Sequence, residues 1–252
     1  MVHVFKKGAT FLIILTTNIS AFPSKSNTMR STILGKSPKL ILIDRDGVVN
    51  EDVGSPGVVQ SSQLKLTQGA GVALGRLKRA GCKVALVTNQ SCVGKGLITE
   101  DYLVHEIHKS LLSMLLSEDE DAKFDHIFYC TSLREAGDPR MKPNPGMIEE
   151  ACNMFQVHAS DCVMIGDAIR DLQAAATGGV PNRVLVETGY GAGIMNGKNA
   201  PRDGSLQVVD LEYCEKNQLV PVGIENCNSG NNSVLPYFYV KNLKCAVDWI
   251  LH

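Results

Sequence analysis

Two aspartates one residue apart, Asp44 and Asp46, stand directly after the apolar run Leu40 to Ile43 in KLILIDRDGVVNED, residues 39–52. Residues i and i+2 of an extended segment share a face, so both carboxylates can enter one crevice. Alone they would repel and raise one pKa; a divalent cation removes that conflict, and hard oxygen ligands with phosphate suit Mg2+. The pair has the right chemistry for phosphoryl transfer, which needs an in-line nucleophile and compensation for equatorial charge. Asp44 can attack phosphorus and carry an aspartyl-phosphate. Asp46 can protonate the leaving oxygen, then activate the water that hydrolyses the intermediate. The bland alternative is a solvated loop.

A lone pair of aspartates proves little, so the elements that position it matter. From Leu40 the chain alternates short apolar runs with helical periods. Leu40 to Ile43, Lys83 to Val87, His126 to Tyr129, Cys162 to Ile165 and Arg183 to Val186 read as strands. Gly69 to Ala80, Thr99 to about Ser117, Gly146 to about Phe155 and Arg170 to Thr177 read as helices. This alternation predicts βαβ units and an α/β fold: a Rossmann-like open parallel sheet with helices on both faces. Tyr237 to Val240 can add a last strand and Leu243 to Leu251 a closing helix, while 188–236 reads as a loop-rich C-terminal insertion.

Ligands of such sheets bind outside the carboxyl ends of the strands. Those ends carry Asp44 and Asp46; then Thr88, Asn89, Gln90 and Ser91; then, past the third strand, Lys142; then Asp167 and Asp171. Thr88 offers a hydroxyl and an N–H to a phosphate oxygen, and Lys142 offers a point charge. Asp167 and the backbone carbonyl of Asp46 are candidate metal ligands beside Asp44. Asp171 has a plainer role open to it as a helix cap.

Composition sets the frame. The chain has 252 residues, 44% hydrophobic and 20% charged, with a net charge of −1. That suits one sizeable soluble domain, residues 39–252, and gives no field that draws it to nucleic acid or an anionic membrane. Eight scattered cysteines form no CxxC pair and read as free, mostly buried thiols. Residues 1–38 read as a targeting segment: Lys6 and Lys7, a short apolar stretch, small residues near Ala21, then a Ser/Thr/Lys/Arg-rich run without acids. The layout predicts organellar or secretory-pathway delivery, with a plastid as one destination and the cytoplasm as the alternative. No stable membrane insertion of the mature protein is expected.

DRDGVVN at 44–50, VTNQS at 87–91, KPNPGM at 142–147 and IGDAIRDLQAA at 165–175 resemble the four ordered motifs of the haloacid dehalogenase superfamily of phosphatases. The wording is similar to one branch, the heptose bisphosphate phosphatases and histidinol-phosphate phosphatases. The resemblance implies a Mg2+-dependent phosphoric monoester hydrolase acting on a small phosphorylated metabolite, first a heptose bisphosphate and alternatively histidinol phosphate. It implies Asp44 as nucleophile, Asp46 as acid/base, Thr88 and Lys142 as phosphate stabilisers, Asp167 as metal ligand and Asp171 behind it. Arg45, Asn89, Gln90 and Ser91 join the phosphate- and substrate-binding set, and Asp52 and Ser55 lie where this branch contacts the sugar. A non-catalytic phospho-ligand-binding regulator is the rival from another class.

The chain also departs from that branch. Cys130 is followed by Thr131 and Ser132, and Asp138 to Arg140 replace a second cysteine pair, so no structural zinc is expected. Met141 stands where an arginine is usual, Ala168 where a lysine is, and Cys92 where a glycine is. The segments between motifs leave no room for a large cap domain, so a capless enzyme is expected, as a monomer or small homo-oligomer.

Overall fold

A computed structural model describes residues 38–219 and 234–252. Residues 1–37, within the stretch expected to be a targeting segment, and the NCNSGNNS stretch at 226–233 thus fall outside the described residues. All five strands expected up to Val186 form: β1 (Leu40–Ile43), β2 (Lys83–Asn89), β3 (His126–Cys130), β4 (Cys162–Gly166) and β5 (Asn182–Val186). With β6 (Gln207–Val209) and β7 (Tyr237–Val240) they make one seven-stranded sheet in the order β3-β2-β1-β4-β5-β7-β6. Every pairing is parallel except β6 against β7, where Gln207 faces Tyr239.

β1, β4 and β5 are buried along their whole length. Strands covered on both faces need apolar side chains on both, which is why their sequences read as unbroken runs. Leu40 and Leu42 of β1 point into one layer with Ala85, Met164 and the helices α3 (Gly146–Phe155) and α4 (Ile169–Thr177). Ile41 and Ile43 alternate to the opposite face. There α1 (Ala70–Arg79) packs against α2, residues 100–118, and α6 (Leu243–Leu251). Leu42 is fully buried, so truncating it to alanine costs roughly 2–5 kcal/mol.

Helix α2 starts where the sequence indicates. The Thr99 hydroxyl accepts the Tyr102 N–H at 3.1 Å, a cap that satisfies one free donor of the first turn. A π-helical turn, Leu103–His108, interrupts it and turns His108 inward.

The segment after β5 is more ordered than a loop-rich insertion. It holds a helical turn at Gly191–Ile194, strand β6 and helix α5 (Leu211–Asn217), whose N-cap is Asp210. β6 has three residues and α5 seven, too short for periodicity to reveal them. Val209, Met195, Tyr237 and Tyr239 close a second apolar cluster with Leu185 and Leu172.

β1 lies between β2 and β4, where the winding of the sheet reverses. The loops after β1, β2 and β4 therefore open onto one edge. Among the described residues, the links from β1 to β2 and from β3 to β4 carry no separate domain, so this edge stays uncapped. No described helix is long and apolar enough to cross a membrane.

Candidate active site

Asp44 follows β1 directly, and its N–H donates to the Ile165 carbonyl of β4 at 2.9 Å. Its Oδ1 accepts the Arg45 N–H at 2.7 Å and lies 2.8 Å from Lys142 Nζ. Oδ2 accepts no hydrogen bond from a described residue. Lys142 is fully buried, and its ammonium meets three acceptors: Asp44, Asp171 Oδ1 at 2.7 Å and the Val87 carbonyl at 2.7 Å. Burial works against the ammonium, but the charges and hydrogen bonds of Asp171 and Asp44 outweigh it and raise its pKa. Burial, then the Asp171 charge, pushes Asp44 up to about 6 despite Lys142.

Asp167, at the end of β4, completes a group of three buried carboxylates. Asp44, Asp167 and Asp171 place oxygens within 4.8 Å of one another. Burial and the charges of Asp44 and Asp171 raise Asp167 to about 8. Its Oδ2 accepts the Tyr190 N–H at 3.0 Å, while Oδ1 is buried with no partner. Gly47 (φ +79°) and Gly189 (φ +62°) pinch this carboxylate, and a Cβ on either would strike it. An orphaned carboxylate oxygen among hard oxygen donors fits a divalent cation such as Mg2+, which would offset the crowded negative charge.

Asp46 does not belong to that group. The chain turns back at Gly47, whose N–H donates to the Asn50 carbonyl at 2.8 Å. Arg45 folds over Asp46, with Nη2 3.0 Å from Oδ2 and Nε 3.2 Å from Oδ1. Asn50 Nδ2 donates to Oδ1 at 2.9 Å and Gln90 Nε2 to Oδ2 at 3.1 Å. Burial acts to raise the Asp46 carboxyl, but Arg45 and these donors prevail and hold it below the usual carboxylate range. The sequence-level expectation of mutual repulsion between Asp44 and Asp46 therefore needs correcting: Asp171 is the carboxylate that disfavours the Asp44 charge. As a metal ligand, Asp46 retains only its backbone carbonyl as a candidate.

Other expected contacts divide. Arg45 is fully buried behind Asp46 and has no surface to offer a substrate. Both ends of the Asn89 amide are spent on Lys142: Nδ2 donates to its carbonyl at 2.9 Å and Oδ1 accepts its N–H at 3.0 Å. Thr88 and Gln90 are buried and bonded to each other at 2.8 Å. A crevice of about 330 Å3 in front of Asp46 is lined by Asp52, Ser55, Asn89, Ser91 and Lys142, together with Lys95, Arg134, Met141, Arg170 and Tyr190. Asp171 sits among the carboxylates, and its Oδ2 also caps α4 by accepting the Ala168 N–H at 3.0 Å.

Sequence reasoning missed Gly47, Gly189, Tyr190 and Arg170. His108 packs edge-on against Tyr129 and is pushed down to about 4 by burial and then by the nearby Arg45 charge, so it stays neutral at physiological pH. The Cys92 thiol is buried and pushed up by burial, which makes it inert packing.

The model of haloacid dehalogenase-like hydrolases matches residues 56–179, beginning after the Asp44–Asp46 pair. A D-glycero-beta-D-manno-heptose-1,7-bisphosphate 7-phosphatase from Haemophilus ducreyi is 34% identical over 157 residues, 60% of this chain and 84% of that protein. The same-named protein of Neisseria meningitidis serogroup A is 34% identical over 178 residues, 70% of this chain and 93% of that one. The crystal structure of D,D-heptose 1,7-bisphosphate phosphatase from B. bronchiseptica, complexed with magnesium and phosphate, gives a TM-score of 0.63 at 26% identity and covers 84% of this chain and 98% of that one. The chain belongs to the haloacid dehalogenase-like hydrolase family. It is a phosphoric monoester hydrolase, similar within that family to the heptose-1,7-bisphosphate 7-phosphatases.

Proposed function

We propose that this protein is a Mg2+-dependent phosphatase that removes one phosphate from a sugar bisphosphate, a heptose 1,7-bisphosphate, through an aspartyl-phosphate on Asp44. The observation that carries the reading is the Lys142 ammonium lodged between Asp44 and Asp171, with Asp167 alongside. It fixes Asp44 Oδ1 and leaves Oδ2 free to attack phosphorus. Asp44, Asp167 and the Asp46 carbonyl would hold the cation, with Asp171 behind. The cation would supply charge neutralisation at the transferring phosphoryl group.

In the first step Asp44 Oδ2 bonds to phosphorus, the phosphorus–oxygen bond to the sugar breaks, and Asp46 gives the departing oxygen its proton. In the second, Asp46 takes a proton from water, whose oxygen attacks the aspartyl-phosphate; inorganic phosphate leaves and the Asp44 carboxylate returns. Arg45 holds the resting Asp46 ionised, the form the water step needs. Approach of the anionic substrate favours its protonated form for the first step.

The test measures phosphate release from heptose 1,7-bisphosphate, histidinol phosphate and 4-nitrophenyl phosphate, each with MgCl2 and with EDTA. The expected result is Mg2+-dependent turnover that prefers the bisphosphate. Asp44→Asn should lower kcat by roughly 1000-fold or more in a folded protein. Preference for histidinol phosphate would reject the substrate, and turnover surviving in Asp44→Asn would reject the nucleophile.

A further inference from the structure

The crevice in front of Asp46 carries three cations that the protein leaves unpaired. Lys95, Arg134 and Arg170 all line it, and none makes an ion pair with a described residue. By contrast Arg45, Arg76, Arg79 and Arg140 each hold a carboxylate. Of the acids of the same crevice, Asp46 is ion-paired with Arg45, while Asp52 accepts only the Gly54 N–H at 3.1 Å. The inner cation is engaged too, since Lys142 is ion-paired with Asp44 and Asp171 and donates to the Val87 carbonyl. Any negative charge beyond the reacting phosphate must therefore be met by the outer three.

Arg170 is the best placed of them. It is the second residue of α4, and its guanidinium carbon stands 5.6 Å from the centre of the Tyr190 ring. A guanidinium held over a ring keeps its edge donors free to pair with two oxygens of a phosphate. Lys95 follows the helical turn after β2, and Arg134 lies on the β3–α3 loop, so the three come from separate elements and meet at one mouth.

We infer that Arg170, with Lys95 and Arg134, forms a second anion subsite that holds the non-reacting phosphate of a bisphosphorylated sugar and so selects bisphosphates over monophosphates. This rests on the phosphatase reading above and names the residues that set its substrate class. Phosphate held by charge-assisted bonds from an arginine contributes selectivity that a monophosphate cannot use.

The decisive comparison is heptose 1,7-bisphosphate against heptose 7-phosphate, which share a reacting group and differ only in the second phosphate. The ratio of their kcat/KM values is measured for the wild type, Arg170→Gln and Lys95→Gln/Arg134→Gln. The ratio should fall roughly tenfold to a hundredfold in Arg170→Gln, chiefly through KM for the bisphosphate. It should fall in the double variant as well, and added KCl should raise the wild-type KM for the bisphosphate more than that of either variant. A ratio unchanged in both overturns the subsite. If the wild type hydrolyses neither sugar, the phosphatase reading fails instead. Calorimetric binding of the bisphosphate to wild type and Arg170→Gln then decides the subsite on its own, equal affinities counting against it.

Discussion

Asn89 and Lys142, 53 residues apart in sequence, are clasped by two hydrogen bonds between the asparagine side chain and the lysine backbone. The amide at the end of β2 thereby sets the position of the loop that delivers the buried ammonium. Asn89→Ala removes both bonds and leaves the buried backbone N–H and carbonyl of Lys142 without partners, at roughly 1–3 kcal/mol. Thermal unfolding should register that loss, and kcat with 4-nitrophenyl phosphate should drop more than KM rises. A normal kcat would mean the loop holds its place without the clasp.

Lys142→Met keeps the unbranched stem of the side chain and deletes its charged end. Asp44 and Asp171 then stay buried without their counter-ion, which costs about 3–5 kcal/mol where a buried pair is broken from one side. Added MgCl2 should restore part of the melting temperature, because a cation can neutralise the same carboxylates. A variant that melts like the wild type in EDTA would show that Lys142 does not balance them.

The crowded carboxylates also set a pH dependence. Burial and then Asp171 raise Asp44 to about 6; burial, Asp44 and Asp171 raise Asp167 to about 8. In the unfolded chain such groups titrate near about 4. The folded metal-free protein therefore binds more protons than the unfolded one across that window, so its stability falls as pH rises from about 4 to about 8. Melting curves in EDTA should shift down over this range, and the gain from saturating MgCl2 should be larger at the alkaline end, where no proton has to be displaced. A gain independent of pH would contradict the assigned shifts.

Gly189→Ala tests the pinch on Asp167. The residue adopts φ +62°, and its Cβ would run into the Asp167 carboxylate and the Gly47 backbone. Left-handed backbone disfavours any side chain, and the displaced carboxylate should bind a cation less well. Titrating activity with MgCl2 should show a half-saturating concentration at least about tenfold higher, the equivalent of roughly 1.4 kcal/mol. An unchanged titration would mean Asp167 is not a ligand.

Much of the frame was legible because it rests on local pattern. Continuous apolar runs located β1, β2, β4 and β5, and the polar residues at their ends placed Asp44, Thr88 and Asp167 on one edge. What escaped was set by tertiary geometry. The turn at Gly47 sends Arg45 onto Asp46, an outcome that spacing along an extended segment does not predict. Asp171, expected only behind Asp167, stands level with Asp44 because α4 begins directly after β4, and Lys142 bridges the two. Tyr190 and Gly189 come from a stretch that reads as a Gly-rich loop, and their role appears only where that loop passes Asp167.

With the proposed cation, the three carboxylates buried side by side would tie the fate of the polypeptide to its mineral supply. A molecule that takes up a divalent cation is stabilised by mass action, whereas one starved of it opens more often and exposes its chain to proteases. The supply of magnesium would thus govern how long each copy survives as well as how fast it works, and scarcity would thin the population before it slowed the remaining members.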